Sequence, residues 1–327
     1  MKAMLVDENK NLVWLDVANP IIKEDEVLVR IYAAALNRAD LLQRQGKYPS
    51  LAGCPEWMGL EIAGEVVEIG TNVENWKIGD KVCALLGGGG YAEYVAVKYD
   101  MLMPIPKGLS MEEAASLPEA YATSYLNLLI EGHLQEGQTV FIPAGASGLA
   151  SVAIPMAKAF GAKVITSVLS DEIAEKIKPL GADVIINSTT HLVEEILKAE
   201  EENGTPVNVS MDCLSGETLG KSLPFMARGG YWIVISTLAG IETTVQLRPL
   251  LTKGLHLVGS MLRNRTPEFK AYILKELVEK VWPKIESGAI KPSIYRVLPI
   301  ENAEEAHAIL ERGENVGKVV LRVSREN

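Results

Sequence analysis

The chain has 327 residues, 48% of them hydrophobic and 23% charged, and a formal net charge of −10. That length predicts two domains, and Lys and Arg scattered singly among acids exclude the basic stripe of a nucleic-acid binder. Three widely spaced cysteines, Cys54, Cys83 and Cys213, with no C-x-x-C, predict a reduced, cytoplasmic protein without a disulfide framework.

In chain order, the first residues reach acids at Asp7 and Glu8, so no signal peptide is expected. No apolar run approaches the ~20 residues of a membrane span, and no membrane partner is expected. VLVRIYAAAL (27–36) and AGEVVEIG (63–70) carry the alternation and branched residues of strands. GDKVCAL (79–85) and YAEYVAV (91–97) read as further strands, set apart by GGGG at 87–90. Short strands punctuated by Gly, Pro and Asp predict a barrel-like all-β unit. The pattern changes near Ser110, where SMEEAASLPEAYATSYLNLLI is helical in period and Ser110 with Glu113 forms a capping box. Strands and helices then alternate. Strands are predicted at 140–143, 163–168, 184–186, 207–213, 231–236 and 255–261, with helices to about Phe160, to Leu180 and from about His191. This alternation predicts a parallel, doubly wound sheet. A long helix from Pro267 and a last strand, GKVVLRV (317–323), end the pattern, and that strand can return to the first domain.

The turn PAGASGLA follows the first strand of the alternating region. It is a glycine fingerprint with Ser147 and Ala150 in place of its second and third glycines. Gly145 can make the tight turn, Gly148 can let backbone approach a phosphate, and Leu149 opens the helix whose free N–H groups face an anion. Small residues here also suit plain strand–helix packing. The end of the second strand should separate NAD from NADP, by an acid for a ribose hydroxyl or a base for a 2′-phosphate. TSVLS (166–170) has neither. Asp171 and Glu172 follow, either as first-turn acids behind an N-cap Ser170 or as ribose ligands. Ser167 and Ser170 can donate to a phosphate, which Asp171 would repel.

Several separated segments resemble one family. AALNRADLLQRQGKYP, GLEIAGEVVEIG, WKIGDKVCALLGGGGYAEYV, MPIPKGLSMEEAASLPEA, PAGASGLASVAIPMAKAFGA and VGKVVLRV are similar to the zinc-free quinone oxidoreductases. These form the zeta-crystallin-like branch of the medium-chain dehydrogenase/reductase superfamily. LNRADLLQRQGKY and GSMLRNR are most like its stress-inducible type. The resemblance implies a GroES-like β-barrel catalytic domain from residues 1–118 and 264–327, and a Rossmann domain from 119–263. It implies an active site in the cleft between them and a homodimer or homotetramer joined through Rossmann-sheet edges near 256–261. It also implies hydride transfer from NADPH, with NADH not excluded, to a small quinone.

The resemblance carries further residues. Zinc-dependent relatives place Cys where this chain has Asn37 and His where it has Leu60; with Glu61 alone remaining and no four-cysteine lobe, no zinc is expected. Asn37 matches the asparagine near the nicotinamide, or is simply a turn residue before a helix. Tyr48 matches the tyrosine at the substrate site, or packs under Pro49. Ser147 would lie on the nicotinamide side. Thr123 would bind cofactor, or bond its own helix backbone. Strand ends at Cys213, Ser236, Thr237, Ser260 and Leu262 would complete the cofactor site, and Lys318 would reach the cofactor. Two departures stand out: Ser188 replaces the tyrosine of NADPH-binding relatives, and Asp171 and Glu172 stand where those relatives place a lysine. An alternative activity is enone or enoyl-thioester reduction, with Tyr48 as proton donor. A second is a cofactor-binding protein without turnover.

Overall fold

A computed structural model describes residues 1–324. The chain forms two compact units. Of the described residues, unit 1 contains 1–122, 265–288 and 292–324; unit 2 contains 123–264 and 289–291. The expected divisions were at 118/119 and 263/264; the first falls at 122/123, inside the helix Pro118–Tyr125.

Unit 1 opens with an antiparallel pair, β1 (Lys2–Val6) and β2 (Leu12–Asp16), which the periodicity left unassigned. β3 (Glu26–Ala35), β4 (Glu61–Ile69), β5 (Lys81–Leu85), β6 (Tyr94–Lys98) and β7 (Leu102–Pro104) follow. The helix expected from Ser110 through Ile130 is broken. Met111–Ala115 and Pro118–Tyr125 are separate helices, then the backbone winds wider over Leu126–Glu131. Pro118 explains the break: a residue before proline avoids the helical region, while proline itself suits a first turn. The capping box forms, with the Glu113 N–H donating to Ser110 Oγ (3.2 Å) and the Ser110 N–H to Glu113 Oε2 (2.9 Å).

Unit 2 is a six-stranded parallel sheet. Its strands are β8 (Thr139–Ile142), β9 (Lys163–Val168), β10 (Val184–Asn187), β11 (Val207–Asp212), β12 (Met226–Val234) and β13 (His256–Gly259). Their order is β10-β9-β8-β11-β12-β13. The chain runs outward from β8 to β10, then returns to β11 beside β8, which makes a topological switch point between β8 and β11. Phe141, Ile165, Ile186, Val207 and Trp232 form the centre of its core. Trp232 is fully buried and donates its indole N–H to Asp212 Oδ2 (2.8 Å), so a large apolar ring fixes an acid at a strand end.

The chain re-enters unit 1 at Pro267–Lys280, followed by β14 (Ile294–Pro299), the helix Ala303–Arg312 and β15 (Lys318–Arg322). The seven-stranded sheet has the order β14-β15-β3-β4-β5-β7, with β6 on β3. β15 pairs antiparallel with β3, Val320 opposite Ala35, and the Leu36 N–H donates to the Val319 carbonyl (2.9 Å). This register sets Lys318 beside Leu36 and Asn37, 281 residues away in sequence.

Candidate functional site

In unit 1 the register builds a buried polar cluster. Asn37 ends the run after β3, before the helix Arg38–Arg44, and is half-buried. Lys318 is 3% exposed and Glu61 wholly buried, and they pair at 2.6 Å. The Lys318 ammonium also donates to the Leu36 carbonyl (2.7 Å) and to Asn37 Oδ1 (2.9 Å), so its three donors are taken. Asn37 Nδ2 donates to Glu61 Oε1 (3.0 Å), and the Glu119 N–H donates to Glu61 Oε2 (2.8 Å). Each member therefore holds another: the asparagine rotamer is fixed from both ends of its amide, and one amide hydrogen is left over. Lys318 was expected to reach a cofactor; its side chain is committed to Asn37 and Glu61.

A second acid secures the Asn37 backbone. Asp40 accepts the Asn37 N–H (2.8 Å), the Tyr91 hydroxyl (3.0 Å) and the Gly59 N–H (3.3 Å). Burial pushes its carboxyl up to about 6, against those donors. Burial and the neighbouring Glu61 likewise push the carboxyl of partly exposed Glu119 up to about 7. Gly59 has φ +106, and a Cβ there would lie 2.6 Å from Gly90 Cα and Tyr91 N, so only glycine fits. Tyr48 is half-buried in the segment after the helix Arg38–Arg44.

Asn37, Leu60 and Glu61 do not make a metal site. Leu60 is a buried apolar residue, Asn37 is occupied by its two neighbours, and the one acid, Glu61, carries an ammonium. These residues do not fit Zn²⁺, which wants thiolate, imidazole or carboxylate donors. Among the described residues no three His, Cys, Asp or Glu side chains group to hold a metal.

In unit 2 the turn after β8 is ordered from within. The Gly145 N–H donates to the Ser167 carbonyl (2.8 Å), and a Cβ on Gly145 would lie 2.5 Å from Thr166 Oγ1. Gly145 thus allows β8 and β9 to close up. Ser147 Oγ accepts the Ala150 N–H (3.1 Å), capping the helix Ala150–Ala159. The N–H groups of Gly148 and Leu149 make no hydrogen bond among the described residues, which leaves two donors and a helix dipole at the switch point. At the end of β11, Asp212 Oδ1 accepts the N–H groups of Leu214 (2.8 Å) and Ser215 (2.9 Å). Ser215 has φ +58 and donates its hydroxyl to the Ser236 carbonyl (2.8 Å). Burial, then the charge on Asp212, pushes the Cys213 thiol up to about 12, so it is no nucleophile. Past β13, Ser260 Oγ is buried with no partner among the described residues, and Leu262 is buried nearby in sequence. Thr237 is exposed, and the Thr123 carbonyl accepts Asn127 Nδ2 (2.7 Å). Unbonded N–H groups at the turn and an orphaned hydroxyl past the last strand fit a phosphate-bearing dinucleotide.

Beyond β9 and β10 the remaining expected residues meet. Ser170 is the N-cap of the helix Asp171–Ile177, its Oγ accepting the Ile173 N–H (3.2 Å). Asn187 Nδ2 donates to Asp171 Oδ1 (2.8 Å), and Ser188 Oγ donates to the Val168 carbonyl (3.1 Å). Ser167 is buried in β9.

Sequence reasoning missed Asp40, Tyr91, Glu119 and Asp212. Only Asp212 carried a usable signal, an acid closing a mostly buried strand.

Two family models match the chain: the alcohol dehydrogenase GroES-like domain over residues 23–107 and the zinc-binding dehydrogenase over 148–279. The "quinone oxidoreductase-like protein 2 homolog" of Nematostella vectensis is 31% identical over 324 residues, covering 95% of this chain and 88% of that protein. The crystal structure of Escherichia coli quinone oxidoreductase complexed with NADPH aligns with a TM-score of 0.84 at 26% identity, covering 98% of this chain and 99% of that one. The CurF ER cyclopropanase from the curacin A biosynthetic pathway aligns with a TM-score of 0.83, also at 26% identity, covering 98% of both chains.

Proposed function

We propose that this chain, which belongs to the quinone oxidoreductase branch of the medium-chain dehydrogenase/reductase superfamily, reduces a small quinone by hydride transfer without zinc. The observation that carries the reading is the Asn37–Glu61–Lys318 cluster, which presents a fixed amide donor where a metal site is not built. When bound, the reduced nicotinamide dinucleotide supplies the hydride.

The chain's own residues bind and polarise. The Gly148 and Leu149 N–H groups take the pyrophosphate, and Ser260 gives its hydroxyl to the dinucleotide. Thr123, Gly145, Ser147, Cys213, Ser236, Thr237 and Leu262 line the rest of its site. The spare Asn37 N–H stabilises negative charge as it develops on the acceptor oxygen. Lys318 on Asn37 Oδ1 draws electron density from the amide and strengthens that donor, while Glu61 holds its rotamer. Lys318 is thus a positioning residue. Tyr48 stacks on the acceptor or donates to it. A quinone asks for little acid catalysis, because its reduced form is aromatic; an enone or enoyl thioester would need Tyr48 as proton donor. The edge strand β13, with Leu257 and Met261 about half exposed, is our proposed seam of a homodimer or homotetramer.

The test is oxidation of NADH and NADPH against a panel of quinones, enones and enoyl thioesters. Turnover with quinones is expected, and Asn37→Ala should reduce kcat by roughly 100-fold, as for loss of one oxyanion donor. Turnover confined to enones or enoyl thioesters, lost in Tyr48→Phe, would replace this reading with the reductase one. Binding without oxidation of either dinucleotide across the panel would leave a cofactor-binding protein without turnover.

A further inference from the structure

The ends of β9 and β10 meet at one corner of unit 2, with Val168 opposite Asn187. The helix Asp171–Ile177 starts there with Asp171, whose Oδ1 is held by Asn187 Nδ2 at 2.8 Å. Asn187 is itself pinned, since its Oδ1 accepts both the N–H (3.1 Å) and the hydroxyl (2.7 Å) of Thr189. The carboxylate is thereby oriented at the strand end with Oδ2 unbonded among the described residues, an acceptor suited to a ribose hydroxyl.

Side-chain donors for a phosphate are few in the same corner. Ser188 has given its hydroxyl hydrogen to the Val168 carbonyl. Ser170 retains one neutral donor, since its oxygen accepts the Ile173 N–H. The nearest lysines on this helix and its continuation are paired with their own glutamates, Lys176 with Glu172 (2.7 Å) and Lys178 with Glu175 (2.5 Å). The residue one turn into the helix is the apolar Ile173. Among side chains, a dianionic 2′-phosphate would meet one hydroxyl and a fixed carboxylate, whereas a 2′-hydroxyl would meet its acceptor.

We propose that this corner selects the unphosphorylated ribose, so that the chain uses NADH in preference to NADPH. The proposal rests on reading unit 2 as a dinucleotide site, and it names Asp171, oriented by Asn187, as the discriminating residue.

The test is fluorescence titration of the full-length protein with NADH and with NADPH, repeated on Asp171→Asn. The asparagine keeps an acceptor for Asn187 and removes the charge. NADH should bind at least about tenfold more tightly, and the variant should bring the two dissociation constants within roughly threefold, as expected for loss of one close like-charge repulsion. NADPH binding as tightly as NADH, or more tightly, would overturn the proposal and leave the dinucleotide reading intact. A tenfold preference that Asp171→Asn does not change would overturn the role given to Asp171. Binding of neither dinucleotide would refute the dinucleotide reading and this proposal with it.

Discussion

Replacing Lys318 with methionine should expose the energetics of the unit 1 cluster. The substitution keeps the length of the side chain and removes its charge and three hydrogen bonds. Glu61, wholly buried, would keep the donors Asn37 Nδ2 and Glu119 N–H and lose its cation. Breaking a buried pair from one side costs about 3–5 kcal/mol. The cost is bounded, because the stranded carboxylate can take up a proton. Protonating an ordinary glutamate at pH 7 costs about 3.7 kcal/mol, and at pH 5 only about 1 kcal/mol. Lys318→Met should therefore lose about 3–4 kcal/mol at pH 7 and substantially less at pH 5, where the loss of hydrogen bonds to Leu36 and Asn37 remains. Glu61→Gln combined with Lys318→Met should recover much of the pH 7 loss, since no charge is left buried alone. Urea unfolding followed by tryptophan fluorescence measures this selectively: Trp14, Trp57, Trp76 and Trp282 lie in unit 1, and Trp232 in unit 2. A single variant within about 0.5 kcal/mol of wild type, or an equal loss at both pH values, would refute the reasoning, because surface pairs are worth that little.

Three further outcomes are expected. Gly59→Ala should cost more than about 2 kcal/mol in thermal unfolding, since its φ of +106 and the 2.6 Å approach to Gly90 admit no side chain. His307 is buried with neither ring nitrogen bonded among the described residues, and burial pushes its pKa down to about 4. Below pH 6.5 the unfolded chain gains a proton that the folded one refuses, so wild type should lose about 2 kcal/mol relative to His307→Leu between pH 6.5 and 5, read from paired urea titrations. Glu119, titrating at about 7, places a second negative charge beside Glu61 as pH rises; kcat/KM for a quinone should fall through that range, and Glu119→Gln should remove the inflection.

Much of unit 2 was legible because its signals are local. Strand and helix periods alternate over short spans, and five of the six strand centres follow from apolar runs and turns. β12 was the least legible, beginning at Met226 because the ARGGYW stretch pairs through a register shift rather than through a clean apolar pattern. The break at Pro118 shows a period overruled by one residue's backbone. The unit 1 cluster was the hardest to foresee. Asn37, Glu61 and Lys318 each read as ordinary alone, and Lys318 by itself suggests a solvated surface. They meet only because β15 and β4 both pair with β3, the first through Val320 and Leu321 opposite Ala35 and Ala34, residues that carry no chemistry. Asp40 and Tyr91 bond directly across 51 residues of sequence, and the necessity of Gly59, which also donates to Asp40, shows only when Gly90 packs on it.

The same register accounts for how the cluster is balanced electrically. Asn37 and Leu60, beside Glu61, bring no negative charge to this point. A divalent cation at this point would be compensated by Glu61 alone. An ammonium, with a single charge, is matched by that one carboxylate, and Lys318 lies 2.6 Å from it. The remaining ammonium hydrogens require neutral acceptors, which the Leu36 carbonyl and Asn37 Oδ1 provide. The pair is buried without a net charge, and its polarity is directed through one amide. Under the proposed function, the spare Asn37 N–H would be where the cluster acts on a bound molecule, which suits an acceptor that needs a hydrogen bond to its oxygen and no Lewis acid.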